Sequence, residues 1–262
     1  MNFKVMLFVN ARDEPSIKEW IIHHLLLGFY HIVVFDHKSK IPISKLGTFN
    51  NRVTHIYTSM PDGNIKIKLI KNALEITKKY IIDWMLYLDA DEFLYLGNFN
   101  SVNHLLTKFY FADAVSLNWL MFGSSQHKKQ PSGLITENFI HSDPVLNKHV
   151  KTFIRPNAVI RCTNPHCYDL IVPQNAYHIS GMKMIPGSPF FQINRPFEKS
   201  YAYIAHYLIQ SEEEFYRRKG RRMDDGSKNK SSLYKNVHEH HNSSLNTQLR
   251  DKYSNNIKKH FF

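Results

Sequence analysis

Asp89 and Asp91 stand two residues apart in Asp89-Ala90-Asp91-Glu92, directly after the apolar run Met85-Leu86-Tyr87-Leu88. On an extended segment, residues i and i+2 project to the same side. Two carboxylates presented together make a hard-oxygen site for Mg2+ or Mn2+. A metal held there would bridge to a diphosphate and neutralise the charge that builds on it as a leaving group. The plainer alternative is a solvated acidic turn at the end of a strand. Glu92 points away from Asp91 and is read as a brace for the turn. Far downstream, His206 in Ile204-Ala205-His206-Tyr207 is a candidate third metal ligand as a neutral imidazole, against the alternative of a packed core histidine. Lys151 and Arg155 are candidate phosphate ligands. So is the run Arg217-Arg218-Lys219-Gly220-Arg221-Arg222, although a helix that starts on Glu212-Glu213-Glu214 and ends on these bases also complements its own dipole.

Other chemistries are disfavoured. Among ten glycines there is neither G-x-x-x-x-G-K-[ST] nor G-x-G-x-x-G, which argues against a P-loop kinase and a dinucleotide dehydrogenase. Nucleotidyltransferases also use paired aspartates, but there a Gly-Ser precedes them, whereas Gly123-Ser124 follows Asp89. Cys162, His166 and Cys167 are too few for a structural zinc site, and two thiols or an incidental disulfide are expected instead. His238, His240 and His241 read as part of a solvated tail.

The elements that must position these groups follow a strand–helix rhythm. Phe3 to Val9 reads as a buried strand, and Ser16 with Glu19 as a capping box. Ile17, Trp20, Ile21, Leu25 and Phe29 then recur at helical spacing up to Gly28, which suits a helix end. Ile32–Phe35 is a second strand closed by Asp36, Val53–Tyr57 a third, Ile65–Tyr80 a helix, and Trp84–Leu88 a fourth strand. Open α/β sheets bind ligands at the carboxyl ends of their strands, where Asn10, Asp36 and Asp89 all fall. Further strands are expected at Ala114–Phe122, His149–Arg155 and Ile204–Leu208, and a helix at Glu212–Arg222. From Asp224 onward the chain reads as a solvated basic tail with a helix near Leu245–His260. The expected division is a catalytic domain at 1–223 and a tail at 224–262.

The bulk numbers set limits. A hydrophobic fraction of 43% supplies a packed core. Lys plus Arg number 34 against 22 Asp plus Glu, and the net +12 draws polyanions without saying which. A basic nucleic-acid-binding protein is the alternative class, but no standard nucleic-acid module is visible, so nucleic acid is not the expected partner. No run approaches the roughly 20 apolar residues of a membrane span. The opening run reads as a strand rather than a signal peptide, so a cytoplasmic protein is expected.

In order along the chain, these pieces resemble the family 92 glycosyltransferases and their bacterial and viral relatives, close to family 2. The segments that carry the likeness are Asn10-Ala11-Arg12-Asp13-Glu14 leading to Glu19-Trp20 and His23-His24, the strand ending at Asp36 with Ser39, and Asp89-Ala90-Asp91-Glu92-Phe93. They continue with Trp119-Leu120-Met121-Phe122-Gly123-Ser124-Ser125, Lys151–Pro156, and His206-Tyr207 through Ser211-Glu212-Glu213-Glu214-Phe215 to Lys219. Gln126 stands where glycine is common in that family, and Gln210 where a basic residue is. The resemblance implies a GT-A (nucleotide-diphospho-sugar transferase) fold, α/β with a mostly parallel central sheet flanked by helices. It implies a UDP-sugar donor, a glycan or other hydroxyl acceptor, and inversion at the anomeric carbon. It places Ala11, Arg12 and Glu14 at the nucleotide, Asp36 near the base or ribose, and Asp89, Asp91 and His206 at the metal. A non-catalytic, sugar-binding relative of this fold is a further alternative, which the intact Asp89/Asp91 pair argues against.

An inverting transferase needs a general base on the acceptor hydroxyl, and a carboxylate is the usual choice. Glu137, which follows the Gly123 loop, is the first candidate, with Asp143 and Asp169 as alternatives. Specificity is expected in the loops at 124–147 and 163–200.

Overall fold

A computed structural model describes residues 1–47, 49, 51–61, 63–193, 198, 200–219 and 240–260. In the first half the expected alternation is present: β1 (Val5–Ala11), α1 (Ile17–Leu26), β2 (His31–His37), β3 (Val53–Thr58), α2 (Ile65–Lys79) and β4 (Trp84–Asp89). β1 runs parallel to β2 and to β4, and β2 to β3. β1, β2 and β4 are apolar almost throughout because helices cover both faces, whereas the edge strand β3 is largely half-buried or exposed. Leu7, Val9, Val34, Leu86 and Leu88 pack in one core with Trp20 and Ile21 of α1. Met6, Phe8, Val33, Phe35 and Met85 pack in another with Leu69, Ile70 and Ala73 of α2.

α1 stops before Gly28, whose φ of +90° is natural only for glycine. Its start differs from expectation: the Ser16 hydroxyl makes no capping bond and the capping box is not formed. Glu19 instead accepts the backbone N–H groups of Ile135 (2.7 Å) and Thr136 (3.0 Å) and the Thr136 hydroxyl (2.7 Å). These open a short helix, Ile135–Asn138. Orphan donors of another helix, buried beside it, outcompete the local ones.

The sheet as a whole is mixed, which corrects the expectation of a mostly parallel one. After β4 come β5 (Glu92–Tyr95), α3 (Val102–Thr107), β6 (Ala114–Met121), α4 (Ile135–Asn138), β7 (His141–Ser142) and β8 (Asn147–Ile154). They are followed by β9 (Val159–Asn164), β10 (Cys167–Leu170), β11 (Ala176–His178), β12 (Tyr203–His206), α5 (Glu212–Lys219) and β13 (Ser244–Leu245). The main sheet has nine strands in the order β3-β2-β1-β4-β8-β6-β12-β5, with β11 also on β6. β8 is antiparallel to β4 and β6, and β5 to β12, while β12 and β11 run parallel to β6. The connection from β6 to β8, which carries α4 and β7, brings the chain back antiparallel. The fold is therefore α/β, a large curled mixed sheet with helices on its faces.

Residues 240–260 are not the solvated tail expected of them. A helical stretch at 248–258, with a wider turn at Arg250–Ser254, presents Leu249, Tyr253 and Ile257 to the core that holds α1. These three recur every fourth residue in an otherwise polar segment, which puts them on one helix face. Leu96 N–H donates to the Tyr253 hydroxyl at 3.3 Å.

Candidate active site

β1, β2 and β4 end side by side. The winding reverses between β1 and β4, since β2 and β3 lie to one side of β1 and the rest of the sheet to the other. Ligand crevices form at such a reversal. Asn10 and Asp89 are register partners across it, and Asn10 Oδ1 accepts the Tyr87 hydroxyl at 3.2 Å.

Each Asp89 oxygen holds a lysine. Oδ1 is 2.7 Å from Lys66 Nζ, in the first turn of α2, and Oδ2 is 3.0 Å from Lys151 Nζ on β8. Burial works to raise the Asp89 pKa, but Lys151 and Lys66 together hold it well below the usual carboxylate range. Lys151 is wholly buried and also lies 3.2 Å from Glu92 Oε2, which accepts the Asp89 N–H at 2.8 Å. Glu92 thus braces the turn. Burial pushes its own pKa up to about 8 against the pull of Lys151, and its Oε1 has no partner among the described residues.

Asp91 faces two ways. Its Oδ2 accepts from Arg218 Nη1 at 2.9 Å, and the same guanidinium reaches Glu14 (2.8 Å) and Glu214 (2.9 Å). Burial disfavours the charge on Arg218, but Glu14, Asp91 and Glu214 outweigh it and raise the pKa. Asp91 Oδ1 lies 3.6 Å from His206 Nε2, too far for a hydrogen bond. Burial lowers the His206 pKa to about 4, so the ring is neutral at pH 7, and Trp119 packs on it with centroids 4.4 Å apart. A carboxylate oxygen and a neutral imidazole nitrogen bordering one gap are donors that suit Mn2+ or Mg2+. Among the described residues, however, no group of three or more His, Cys, Asp or Glu is arranged to hold a metal, because Asp89 is engaged by its lysines.

The other expected residues divide. Ala11 ends β1, Arg12 follows it, and Glu14 joins the cluster through Arg218. Asp36 is 3% exposed and turned inward, accepting from Ser39 N (3.1 Å) and Ile43 N (2.9 Å) to close the loop after β2. Arg155 donates to the carbonyls of Ala112 (2.9 Å) and Tyr110 (2.8 Å) and stacks on Trp84, at the start of β4, so it sits at the opposite end of the sheet from Asp89. Glu137 pairs with Lys258 at 2.6 Å, and Asp169 with Arg161 on the β9–β10 hairpin. Asp143 is bound by His241 at 2.5 Å. The side chain of Lys219 lies outside the described residues. Cys162 and Cys167 are both free thiols, and His166 Nδ1 is bonded to the Val150 carbonyl.

Sequence reading missed Lys66, Glu214 and His241. For Lys66 a signal existed: a helix entered from β3 must begin at the end of the sheet where β4 delivers Asp89. Compared with protein-family models and with curated proteins, the chain matches none.

Proposed function

We propose that the protein is a metal-dependent, inverting glycosyltransferase of GT-A architecture, which moves a sugar from a UDP-sugar to a hydroxyl acceptor. The reading rests above all on Asp91 and His206, which share one gap at 3.6 Å beside the crevice where the sheet reverses its winding. Cations gathered around carboxylates at such a crevice fit a diphosphate better than a neutral ligand.

Asp91 and His206 would hold the ion with the donor diphosphate, and the ion would neutralise charge on the departing phosphate. Lys66, Lys151 and Arg218 carry the rest of the positive field. Lys151 is fixed by Glu92 and Asp89 and has no freedom to follow the ligand, whereas Lys66 and Arg218 sit at helix ends on the rim. In this reading Asn10, Ala11, Arg12 and Glu14 would border the nucleoside.

The test is a screen of nucleotide-sugars with and without Mn2+, read by released nucleotide, on the wild type and Asp91→Asn. Metal-stimulated release that Asp91→Asn abolishes is the expected result. Release that persists in that variant with chelator present would sink the metal assignment, and salt-sensitive oligonucleotide binding with no release would favour the nucleic-acid alternative.

A further inference from the structure

The metal-side cluster leaves a second polar assembly unexplained. β6 ends at Met121, which pairs with His206 of β12, and His206 pairs with Glu92 of β5. On the other side of β6, Phe122 bridges Ser142 antiparallel, and Asp143 N–H donates to the Met121 carbonyl at 2.9 Å. Asp143, Met121, His206 and Glu92 therefore form one row across the sheet. Laterally paired residues point to the same face, and strands lie about 4.8 Å apart, so Asp143 is roughly 10 Å from His206 on the His206 side of the sheet. Asp143 is buried, and its Oδ1 lies 2.5 Å from His241 Nδ1, with His240 Nε2 at 3.7 Å from Oδ2. A carboxylate accepts, so the imidazole proton sits on Nδ1 and the lone pair on Nε2. Asp143 holds Nδ1, so Nε2 is the ring nitrogen left to take a proton. The arrangement is held from both sides: β13 pairs with β7, and Asn242 Oδ1 accepts the Ser125 N–H at 2.7 Å.

We propose that His241, oriented by Asp143, is the general base that takes the proton of the acceptor hydroxyl. This assignment rests on the transferase reading and replaces Glu137 and Asp169, each tied to a surface cation, as candidates. In the step, the acceptor O–H proton passes to His241 Nε2 as its oxygen bonds to the anomeric carbon. The bond from that carbon to the phosphate oxygen breaks, and its electron pair leaves with the diphosphate. Asp143 keeps its charge and steadies the imidazolium, which makes it a positioning residue.

The experiment measures UDP release from uridine diphosphate hexoses in Mn2+ with water as acceptor, together with calorimetric binding of UDP, for wild type, His241→Ala, His241→Asn, Asp143→Asn and the control Arg161→Ala on the β9–β10 hairpin. In His241→Asn the amide can still donate to Asp143, so the fold is kept while the proton acceptor is lost. The expected result is a fall in kcat of about 10^2-fold or more for both His241 variants, UDP binding within about twofold of wild type, and partial rescue of His241→Ala by added imidazole. Asp143→Asn should lower kcat with little change in KM, and Arg161→Ala should leave both as they are. If wild type turns over and His241→Asn keeps its kcat, the base assignment is overturned and the transferase reading stands. If wild type releases no UDP and binds none, both fall together.

Discussion

Arg218 Nη1 donates to Asp91 Oδ2 at 2.9 Å, joining α5 to a turn 127 residues earlier in the chain. The guanidinium also satisfies Glu14 and Glu214, so it acts as the counter-ion of all three carboxylates. A divalent ion entering beside Asp91 would compete with it. Arg218→Met should lower thermal stability by about 3 kcal/mol without metal, since converging carboxylates lose their cation. Mn2+ should then stabilise the variant more than it stabilises wild type. Thermal unfolding with and without Mn2+ measures both, and an equal metal shift in the two proteins would show that Arg218 does not guard the Asp91 seat.

Lys151 is a wholly buried cation between Asp89 and Glu92. Lys151→Met should destabilise the protein by roughly 3–5 kcal/mol, because Glu92 stays buried without its cation and Asp89 keeps only Lys66. Adding Glu92→Gln to it should recover part of the loss. A double-mutant cycle by urea denaturation reads the coupling, and strictly additive losses would mean that the pair does not act as a unit.

The buried Glu19 carboxyl has its pKa pushed up to about 7 by desolvation, against the hydrogen bonds from Thr136 and Ile135. Its folded pKa lies above the unfolded value of about 4.5, so between these pH values the native state binds the extra proton. Stability from this group is therefore present below about pH 4.5 and lost as pH rises through 7. Glu19→Gln should remove that decline, and the difference in unfolding free energy between wild type and variant should slope with pH from about 4.5 to 7 and flatten above. A difference that is flat across this window would contradict the buried-acid account.

Gly123 lies under the C-terminal segment. A Cβ placed there would stand 2.6 Å from Asn242 Cγ and 2.6 Å from the His241 carbonyl oxygen. Gly123→Ala should cost about 1–3 kcal/mol by overpacking and, by lifting 241–242, should part His241 from Asp143. The His241 Nδ1 proton, held by Asp143, would then exchange faster with water by NMR. An exchange rate unchanged from wild type would show that the segment moves as a rigid piece.

How far the sequence could be read depended on distance along the chain. β1, β2 and β4 were legible because burial on two faces leaves unbroken apolar runs, and both long helices because their apolar residues recur at helical spacing. Asp89 and Asp91 were legible at the end of a strand, and Lys151 and His206 as candidates on strands of their own. Arg155 misled for a geometric reason: four residues beyond Lys151 at about 3.3 Å each carry it some 13 Å toward the other end of the sheet. β5 was hidden because only Ala90 and Asp91 separate it from β4. The departures at Gln126 and Gln210 carry a backbone meaning, since both hold positive φ, +66° and +51°, where glycine fits with least strain. Glu19 and His241 were out of reach, because their partners lie 116 and 98 residues away and no local pattern announces such a meeting.

The stretch that carries Leu249, Tyr253 and Ile257 against α1 has a kinetic consequence. A contact between α1 and this stretch closes a long loop of chain, and such contacts carry a large closure entropy and form slowly. Until it forms, the side of α1 that it covers stays open to other apolar surfaces, so early folding intermediates carry an aggregation-prone face there.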